Sequence, residues 1–274
     1  MVPVATAAET QHQRLRAIFQ EMGSVLVSYS GGIDSTVVLA VAHATLGDRA
    51  VGATSVSPTL PEVERTAAGA VARTLGARYV EVPSDVLKDA NFFENPESRC
   101  YTCKRDLYRN LARLAADLRL AHIANGTNVD DLGDYRPGLR AAKELGVRSP
   151  LLEAGMTKDD VRRLARDLGL PNWMKPAEAC LSSRFPFGTA ITADRLQQVE
   201  QAEEVLHAAG FAQVRVRFHD EVARLEIPPA DFSRLLDPET RDSIVTALRG
   251  LGFAYIALDL QGYRSGSLNL RVVP

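Results

Sequence analysis

Two glycines, two serines and an aspartate occur in the run SGGIDS at residues 30–35, directly after the β-forming residues VLVSY. Gly31 and Gly32 let the backbone come close to a ligand because they carry no Cβ. Backbone N–H groups at such a turn, followed by a helix, converge on phosphate oxygens. Ser30 and Ser35 add hydroxyl donors. The run lacks the Lys-Ser or Lys-Thr pair of a Walker motif, so it predicts a phosphate cradle of a different kind.

Asp34 has a different role from its neighbours, because a carboxylate repels phosphate. It could help to hold a Mg²⁺ ion that bridges the phosphates, or it could brace the loop. The alternative is an ordinary turn in which Asp34 caps the following helix. The combination of strand, glycine loop and helix favours the phosphate site.

A second polar loop, NGTNVDDLGDYRPG at residues 125–138, follows a later predicted strand. Gly126 can pass close to a ligand, and Asp130 and Asp131 could hold Mg²⁺ and, through it, phosphate groups. A solvated loop rich in Asn and Asp is the alternative.

Three cysteines form a third group of candidates. Cys100 and Cys103 make a CxxC pair directly before a predicted helix, and Cys180 lies far along the chain. Such a pair is compatible with a redox couple, half a zinc site or part of an iron–sulfur site. Structural zinc needs a fourth ligand, whereas three thiolates leave one iron of a cubane cluster open to an outside ligand. Cys180 could instead be a small buried apolar residue.

Four arginines are candidates for binding an anionic substrate. Arg99 and Arg184 flank the cysteines. Arg215 and Arg217 are two residues apart on a predicted strand, so they point to one face and could grip a phosphate. A hairpin in which these arginines pair with Glu226 is the alternative.

The elements that would position these residues alternate between strand and helix up to about residue 150. Near-continuously apolar runs predict strands, as in a parallel sheet that is covered on both faces. The predicted fold is therefore α/β, a doubly wound and mainly parallel sheet, in which ligands bind at the carboxyl ends of the strands. The predicted strands are 25–30, 50–56, 78–82 and 120–125, and the predicted helices are 35–47, 61–75 and 103–118.

The pattern changes after residue 187, where we place a domain boundary between residues 1–187 and 188–274. The second part predicts a small α+β domain with a hairpin at VRVRFHDEVARLEI. Its other predicted elements are helices at 193–209 and about 230–249 and strands at 253–260 and 268–273. Before the boundary, TKDDVRRLARDLGLP predicts a helix with a capping box from Thr157 to Asp160.

Bulk composition limits the functional classes. The chain has 274 residues, 46% of them hydrophobic and 24% charged, and a formal net charge of -2. This near-balance gives no electrostatic reason to expect a nucleic-acid partner. An odd cysteine count argues against a secreted disulfide framework, and no apolar run is long enough to span a bilayer, so we expect a cytoplasmic protein.

The run SGGIDS resembles the SGGxDS loop of the PP-loop ATPases, the adenine nucleotide α-hydrolase-like superfamily. That resemblance implies a Rossmann-like fold, and cleavage of ATP between its α and β phosphates. The expected cofactors are ATP and Mg²⁺, held by the glycine loop and the 125–138 loop. Main-chain groups of Ser57, after the second predicted strand, are candidates for contact with the adenine. The expected products are AMP, first attached to the substrate, and pyrophosphate.

The runs RCYTCK, NGTNVDD and EACLSSRFPFGTAIT, together with the hairpin sequence, resemble the LarE-type sulfur transferases within that superfamily. The likeness extends over most of the chain. It implies adenylation of a carboxylate of pyridinium-3,5-biscarboxylic acid mononucleotide and insertion of sulfur, which makes the thiocarboxylate of the nickel-pincer cofactor. It also implies a homo-oligomer, such as a hexameric ring, assembled through the second domain.

Two versions of this family differ in their source of sulfur. In one, a single cysteine, matched here by Cys180, gives up its sulfur and becomes dehydroalanine. In the other, this cysteine and a CxxC pair bind a 4Fe-4S cluster that carries an extra sulfide. Because the chain has Cys100 and Cys103 in addition to Cys180, the cluster version is favoured. In the nucleotide site, Asp34 is expected to be among the catalytic residues.

Three other functions compete with this one. A PP-loop tRNA thiolase would also use three cysteines around a cluster, but a basic RNA-binding surface is expected of it. An ammonia-using synthetase would leave the three cysteines unexplained. A nucleotide- or iron–sulfur-sensing module would bind ATP without releasing pyrophosphate.

Overall fold

The computed structural model describes residues 7–133, 137–176 and 178–264. Its helices and strands alternate through the first two-thirds of the chain. In chain order they are α1 (Ala7–Met22), β1 (Val25–Ser28), α2 (Ile33–Leu46), β2 (Ala50–Val56), α3 (Glu62–Thr74), β3 (Arg78–Pro83), α4 (Ala90–Phe93), α5 (Arg99–Asp117), β4 (His122–Ala124), α6 (Pro137–Glu144), α7 (Pro150–Glu153), α8 (Lys158–Asp167), α9 (Ala193–Ala208), β5 (Arg215–His219), β6 (Val222–Glu226), α10 (Phe232–Leu236), α11 (Pro238–Gly250) and β7 (Tyr255–Leu258).

The first four strands form one parallel sheet in the order β3-β2-β1-β4. Both faces of this sheet are covered. Val25 and Val27 of β1 pack in a core with α1, α2 and α8, whereas Leu26 packs in another with α5 and α6. Successive residues of a strand point to opposite faces, so these two cores lie on opposite sides of the sheet. The predicted doubly wound α/β sheet is confirmed.

The chain forms two compact units. The first comprises residues 1–86 and 100–178, and the second comprises residues 87–99 and 179–274. Residues 87–99 join the second unit through backbone hydrogen bonds such as Gly188 N–H to Asn95 O at 2.9 Å and Ile191 N–H to Phe93 O at 2.9 Å. The predicted boundary near residue 187 lies within the second unit, which sequence reasoning did not connect to residues 87–99.

The second unit contains a three-stranded sheet in the order β5-β6-β7. Strands β5 and β6 form the predicted antiparallel hairpin, and β7 adds to β6 in parallel. The single helix predicted at about 230–249 is wrong: α10 ends at Leu236 and α11 begins at Pro238, because proline favours the first position of a new helix. The strand predicted at 268–273 lies outside the described residues.

Two boundaries matter for the candidate site. Helix α5 begins at Arg99, so Cys100 lies in its first turn and Cys103 at the start of its second, and the pair does not precede the helix as predicted. Helix α8 begins with the predicted capping box, in which Asp160 N–H donates to Thr157 Oγ1 and Asp160 Oδ2 accepts from Thr157 N–H. No helix in the described part of the chain is long and apolar enough to cross a membrane.

Candidate active site

The run SGGIDS connects the carboxyl end of β1 to the first turn of α2. Its hydroxyl groups hold the loop in shape: Ser30 Oγ and Ser35 Oγ are 3.1 Å apart, and Ser35 Oγ donates to Gly32 O at 3.0 Å. Gly31 has φ +74, in the left-handed region that favours glycine. The predicted strand–loop–helix context is therefore present, with the backbone N–H groups at the start of α2 available to phosphate oxygens.

Close packing around Gly31 and Gly126 leaves no room for a Cβ atom at either position. A Cβ atom on Gly31 would lie 2.7 Å from Cβ of Ala68 in α3. A Cβ atom on Gly126 would lie 2.8 Å from the backbone N of Ser35. The 125–131 loop, which follows β4, thus passes directly over the start of α2, as the expected meeting of strand ends at one sheet edge requires.

Asp34 is held by two side chains that the sequence analysis did not single out. Lys158 Nζ forms an ion pair with Asp34 Oδ2, and Asn128 Nδ2 donates to Asp34 Oδ1 at 3.1 Å. Asn128 belongs to the NGTNVDD loop and Lys158 is the first residue of α8. The arrangement braces the glycine loop and brings a cation to it.

Asp130 and Asp131 of the 125–138 loop also have defined partners. Asp130 Oδ2 accepts from the backbone N–H of Lys158 at 2.8 Å, and Asp131 Oδ2 accepts from Asn128 N–H at 3.0 Å. These carboxylates fix the loop and the start of α8 in relation to Asp34. Asp34 and Asp130 therefore both contact Lys158, the first through its side chain and the second through its main chain.

Ser57 begins the turn that follows β2. Its carbonyl accepts from Leu60 N–H at 3.0 Å, and its hydroxyl lies 2.8 Å from Thr59 Oγ1. The turn lies after the strand that neighbours β1 in the sheet, at the same carboxyl edge.

Asn172 is a further residue that contacts the glycine loop. Its side chain is buried, and Nδ2 donates to Gly31 O at 2.9 Å and to Thr36 Oγ1 at 2.9 Å. Its Oδ1 is buried and has no hydrogen-bond partner among the residues that the structure describes. The residue lies between Pro171 and Trp173 in a loop, where no periodic pattern could indicate the contact.

The cysteines belong to different units. Cys100 and Cys103 lie in the first unit, three positions apart on α5, where side chains share one face of the helix. Cys180 lies in the second unit, and Cys100 and Cys180 are both exposed. Within residues 7–133, 137–176 and 178–264, no group of three or more His, Cys, Asp or Glu side chains lies close enough together to hold a metal ion.

Arg184 supports the backbone beside Cys180. The guanidinium is buried, with Nη1 donating to Ala179 O at 2.7 Å and to Cys180 O at 3.2 Å. Its other nitrogens form a two-pronged ion pair with Glu203 of α9, at 2.9 and 2.8 Å. Arg184, predicted to hold an anionic substrate, thus contacts protein groups around Cys180.

Arg99 contacts the residues that follow Cys180 in the chain. It is buried, its Nη1 hydrogen-bonds Asn95 Oδ1 and, at 3.4 Å, Phe185 O, and its guanidinium lies 5.1 Å from the ring centre of Phe187. Because Arg99 is bonded to Cys100, these contacts anchor the residue before the CxxC pair to the segment that follows Cys180.

The hairpin arginines are also buried and partnered. Arg217 forms an ion pair with Glu226 at 2.8 Å and donates to Ser183 O at 2.5 Å. Arg215 lies opposite Glu226 in the strand register, and its Nη2 lies 3.3 Å from the hydroxyl of Tyr263. The salt-bridged hairpin, the alternative considered from the sequence, is present for Arg217.

This fold and this glycine loop define a PP-loop ATPase. No model of a known protein family matches the chain. It is 44% identical over 95% of its length to an uncharacterized protein of Synechocystis sp., of which the match covers 97%. It is 41% identical over 97% of its length to the pyridinium-3,5-bisthiocarboxylic acid mononucleotide synthase of Lactiplantibacillus plantarum, of which the match covers 96%. A more distant match, 25% identical over 67% of this chain and 64% of the relative, is to a glutamine-hydrolysing GMP synthase chain of Archaeoglobus fulgidus.

The chain therefore belongs to the family of LarE-type ATP-dependent sulfur transferases within the PP-loop superfamily. It is an enzyme of this family, as the resemblance of its motifs implied.

Proposed function

We propose that this enzyme adenylates a carboxylate of pyridinium-3,5-biscarboxylic acid mononucleotide and replaces a carboxylate oxygen by sulfur. The product is the thiocarboxylate precursor of the nickel-pincer cofactor. One observation carries this proposal: a match at 41% identity, over 97% of the chain, to a pyridinium-3,5-bisthiocarboxylic acid mononucleotide synthase.

The first half-reaction occurs at the glycine loop. The substrate carboxylate attacks the α-phosphorus of ATP, the bond to the bridging oxygen breaks, and pyrophosphate leaves. Backbone N–H groups at Gly31 and Gly32 receive the phosphates, and the helix N-terminus supports their charge. Lys158, the cation that pairs with Asp34 of this loop, is suited to neutralise the departing pyrophosphate.

The carboxylates of Asp34 and Asp130, which both contact Lys158, are suited to hold Mg²⁺ in this step. Mg²⁺ prefers oxygen ligands, which Asp34 and Asp130 offer, and would neutralise phosphate charge. Asp34 also braces the loop through Asn128. Main-chain groups of Ser57, in the turn after β2, are proposed to face the adenine.

The second half-reaction needs a sulfur nucleophile beside the acyl-adenylate, from which AMP departs. In residue type the donor set suits a 4Fe-4S cluster, because thiolates are its usual ligands and Cys100 and Cys103 share one helix face. With Cys180 as third ligand, such a cluster leaves one iron open and would supply a sulfide. In a protein without a cluster, the Cys180 thiolate would attack the acyl carbon and displace AMP. Later cleavage of the Cβ–S bond of Cys180 would leave dehydroalanine.

The second domain is proposed to bind substrate anions, to assemble copies of the chain, or both. Arg215 and Arg217 supply positive charge there, and Arg99 and Arg184 supply it in the rest of the second unit. Their buried ion pairs and carbonyl contacts suit them to shape this region around Cys180. A homo-oligomer, such as a hexamer, is the proposed assembly.

An anaerobic preparation tests the proposal and separates the two sources of sulfur. Iron and acid-labile sulfide are measured, and intact mass is read before and after turnover with ATP, Mg²⁺ and the pyridinium mononucleotide. We expect AMP, pyrophosphate and a thiocarboxylate product, with iron and sulfide bound and all three cysteines unchanged. The variant Cys100→Ser with Cys103→Ser should lose the iron.

Other outcomes of this experiment contradict parts of the proposal. A protein without iron that loses the elements of H₂S at Cys180 would reject the cluster and keep the adenylation. ATP binding without pyrophosphate release in the presence of substrate would reject the sulfur transfer altogether and point to a sensing module.

A further inference from the structure

The chain has a single tryptophan, Trp173, in the turn PNWMKP at residues 171–176. Its side chain retains 36% of its accessible surface, and that of the next residue, Met174, retains 73%. Trp173 belongs to neither of the two cores that cover the faces of the sheet. Its exposed surface is therefore open to contact with a ligand.

The turn that carries Trp173 is anchored on both sides. On one side Asn172 is buried and donates to Gly31 O at 2.9 Å. On the other side Lys175 forms an ion pair with Glu64 of α3 at 2.6 Å. Within the turn, Lys175 N–H donates to Asn172 O at 3.0 Å. The backbone of Trp173 is therefore fixed, and a tryptophan side chain has only two torsions to order on binding.

Covalent geometry limits the distance between Trp173 and the glycine loop. Asn172 hydrogen-bonds Gly31 O and consecutive Cα atoms are about 3.8 Å apart, so the Cα atom of Trp173 lies within about 11 Å of Gly31 O, a distance that an indole and a stacked ring together can span. Adenylation requires the substrate carboxylate to approach the α-phosphorus to about 3–3.5 Å. The aromatic ring that bears this carboxylate must therefore lie near the glycine loop as well.

The ring of the proposed substrate is a pyridinium and carries a positive charge. A cation over an aromatic face is attracted by the ring quadrupole, and tryptophan gives the strongest attraction. We propose that Trp173 stacks on the pyridinium ring of the substrate and orients its carboxylate toward the α-phosphate. This inference rests on the proposed function and adds a binding residue to it.

The single tryptophan makes the contact directly measurable, since all tryptophan fluorescence of the protein reports on Trp173. The protein is titrated with pyridinium-3,5-biscarboxylic acid mononucleotide and, separately, with nicotinic acid mononucleotide. We expect saturable quenching by both. Quenching that rises linearly, with the same constant as for free N-acetyltryptophanamide, would be collisional and would overturn the inference.

Two substitutions of Trp173, and a control substitution of its neighbour Met174, test the role of Trp173 in turnover. Trp173→Ala is expected to raise KM for the pyridinium substrate by roughly 3- to 30-fold, the span of a cation–π contact, and to leave KM for ATP unchanged. Trp173→Phe should recover part of the loss. Met174→Ala, a more exposed residue of the same turn, is the matched control and should behave as wild type.

The results also separate this inference from the proposed function. Pyrophosphate release by wild type with an unchanged substrate KM in Trp173→Ala rejects only the role of Trp173. A raised KM for ATP alone would assign Trp173 to the adenine and overturn the inference. A wild-type protein that releases no pyrophosphate with the pyridinium substrate rejects the proposed function, whatever the fluorescence shows.

Discussion

Lys158, the first residue of α8, forms an ion pair with Asp34 of the glycine loop, and its own backbone N–H donates to Asp130 Oδ2 at 2.8 Å. The side chain and the main chain of one residue thus connect three segments at the sheet edge. A cation held this way is preorganised, so it needs little rearrangement to act on negative charge that develops on the pyrophosphate.

The variant Lys158→Ala is expected to lower kcat/KM for ATP by roughly 10²- to 10³-fold, as removal of one preorganised charge-stabilising group does. Lys158→Arg should retain part of the activity, because the positive charge remains. The measurement is the initial rate of pyrophosphate release at several ATP concentrations.

The matched control for this variant is Lys143→Ala, an exposed lysine of α6 that should leave the rate unchanged. A Lys158→Ala protein with wild-type kcat/KM for ATP would contradict the assignment and leave Lys158 as a brace for Asp34 only.

Gly126 is required by close approach between two backbones. A Cβ atom there would lie 2.8 Å from Ser35 N and 3.0 Å from the carbonyl carbon of Asp34. Gly126→Ala is therefore expected to displace the 125–131 loop, to lower the free energy of unfolding by about 1–3 kcal/mol and to weaken ATP binding. Chemical denaturation and ATP titration measure both effects.

Gly133→Ala is the control for this change, because no atom in the described part of the chain lies within 4 Å of a Cβ atom at Gly133. It should keep both ATP affinity and stability. If the two variants behave alike, the close approach at Gly126 has no functional consequence.

Much of the first unit could be predicted from the sequence, because local patterns specify it. Buried strands such as β1 and β2 are near-continuous apolar runs, and the Thr157–Asp160 capping box is a four-residue signal. The SGGIDS loop was recognisable because its glycines and hydroxyl groups, which together suit phosphate binding, all lie within six residues.

The partners of this loop could not be found in the same way. Lys158 reaches Asp34 and Asn172 reaches Gly31 across 124 and 141 residues, and no local motif indicates either contact. Such contacts follow from the order of strands in the sheet, which periodicity does not specify. For the same reason the sequence did not indicate that residues 87–99 join the second unit.

Asp160 links stability to pH at the start of α8. Burial alone would raise the pKa of its carboxyl, but hydrogen bonds from Thr157, Gln11 and Arg163 together lower this pKa below its usual value. A lowered pKa in the folded state stabilises the protein above the unfolded pKa of about 3.9, and this contribution disappears as pH falls through the folded value.

The variant Asp160→Asn should therefore be less stable than wild type at neutral pH, by about 1 kcal/mol for a lost cap. The difference should shrink as pH falls from the unfolded pKa of about 3.9 through the lower folded pKa, because the wild-type carboxyl then becomes neutral, like the amide of the variant. Urea unfolding across this pH range measures it. Asp167→Asn, exposed at the end of the same helix, serves as the control. A difference that does not change with pH would contradict the assignment to this carboxyl.

Arg184 and Glu203 form a buried, two-pronged ion pair in the second unit, with side chains only 2% and 9% exposed. Glu203 also accepts from Val216 N–H at 2.9 Å, so α9, β5 and the Cys180 segment share this carboxylate. Removal of one member of a buried pair leaves the other charged and unpaired, which is more costly than loss of an exposed pair.

Arg184→Ala is therefore expected to lower the free energy of unfolding by about 3–5 kcal/mol. It should also accelerate alkylation of Cys180, because Arg184 holds the carbonyls of Ala179 and Cys180. Peptide mass spectrometry after timed alkylation measures the second effect. Arg166→Ala, which breaks an exposed pair with Asp167, should change neither quantity. A stable Arg184→Ala protein with unchanged Cys180 reactivity and a raised KM for the mononucleotide would instead assign Arg184 to substrate binding.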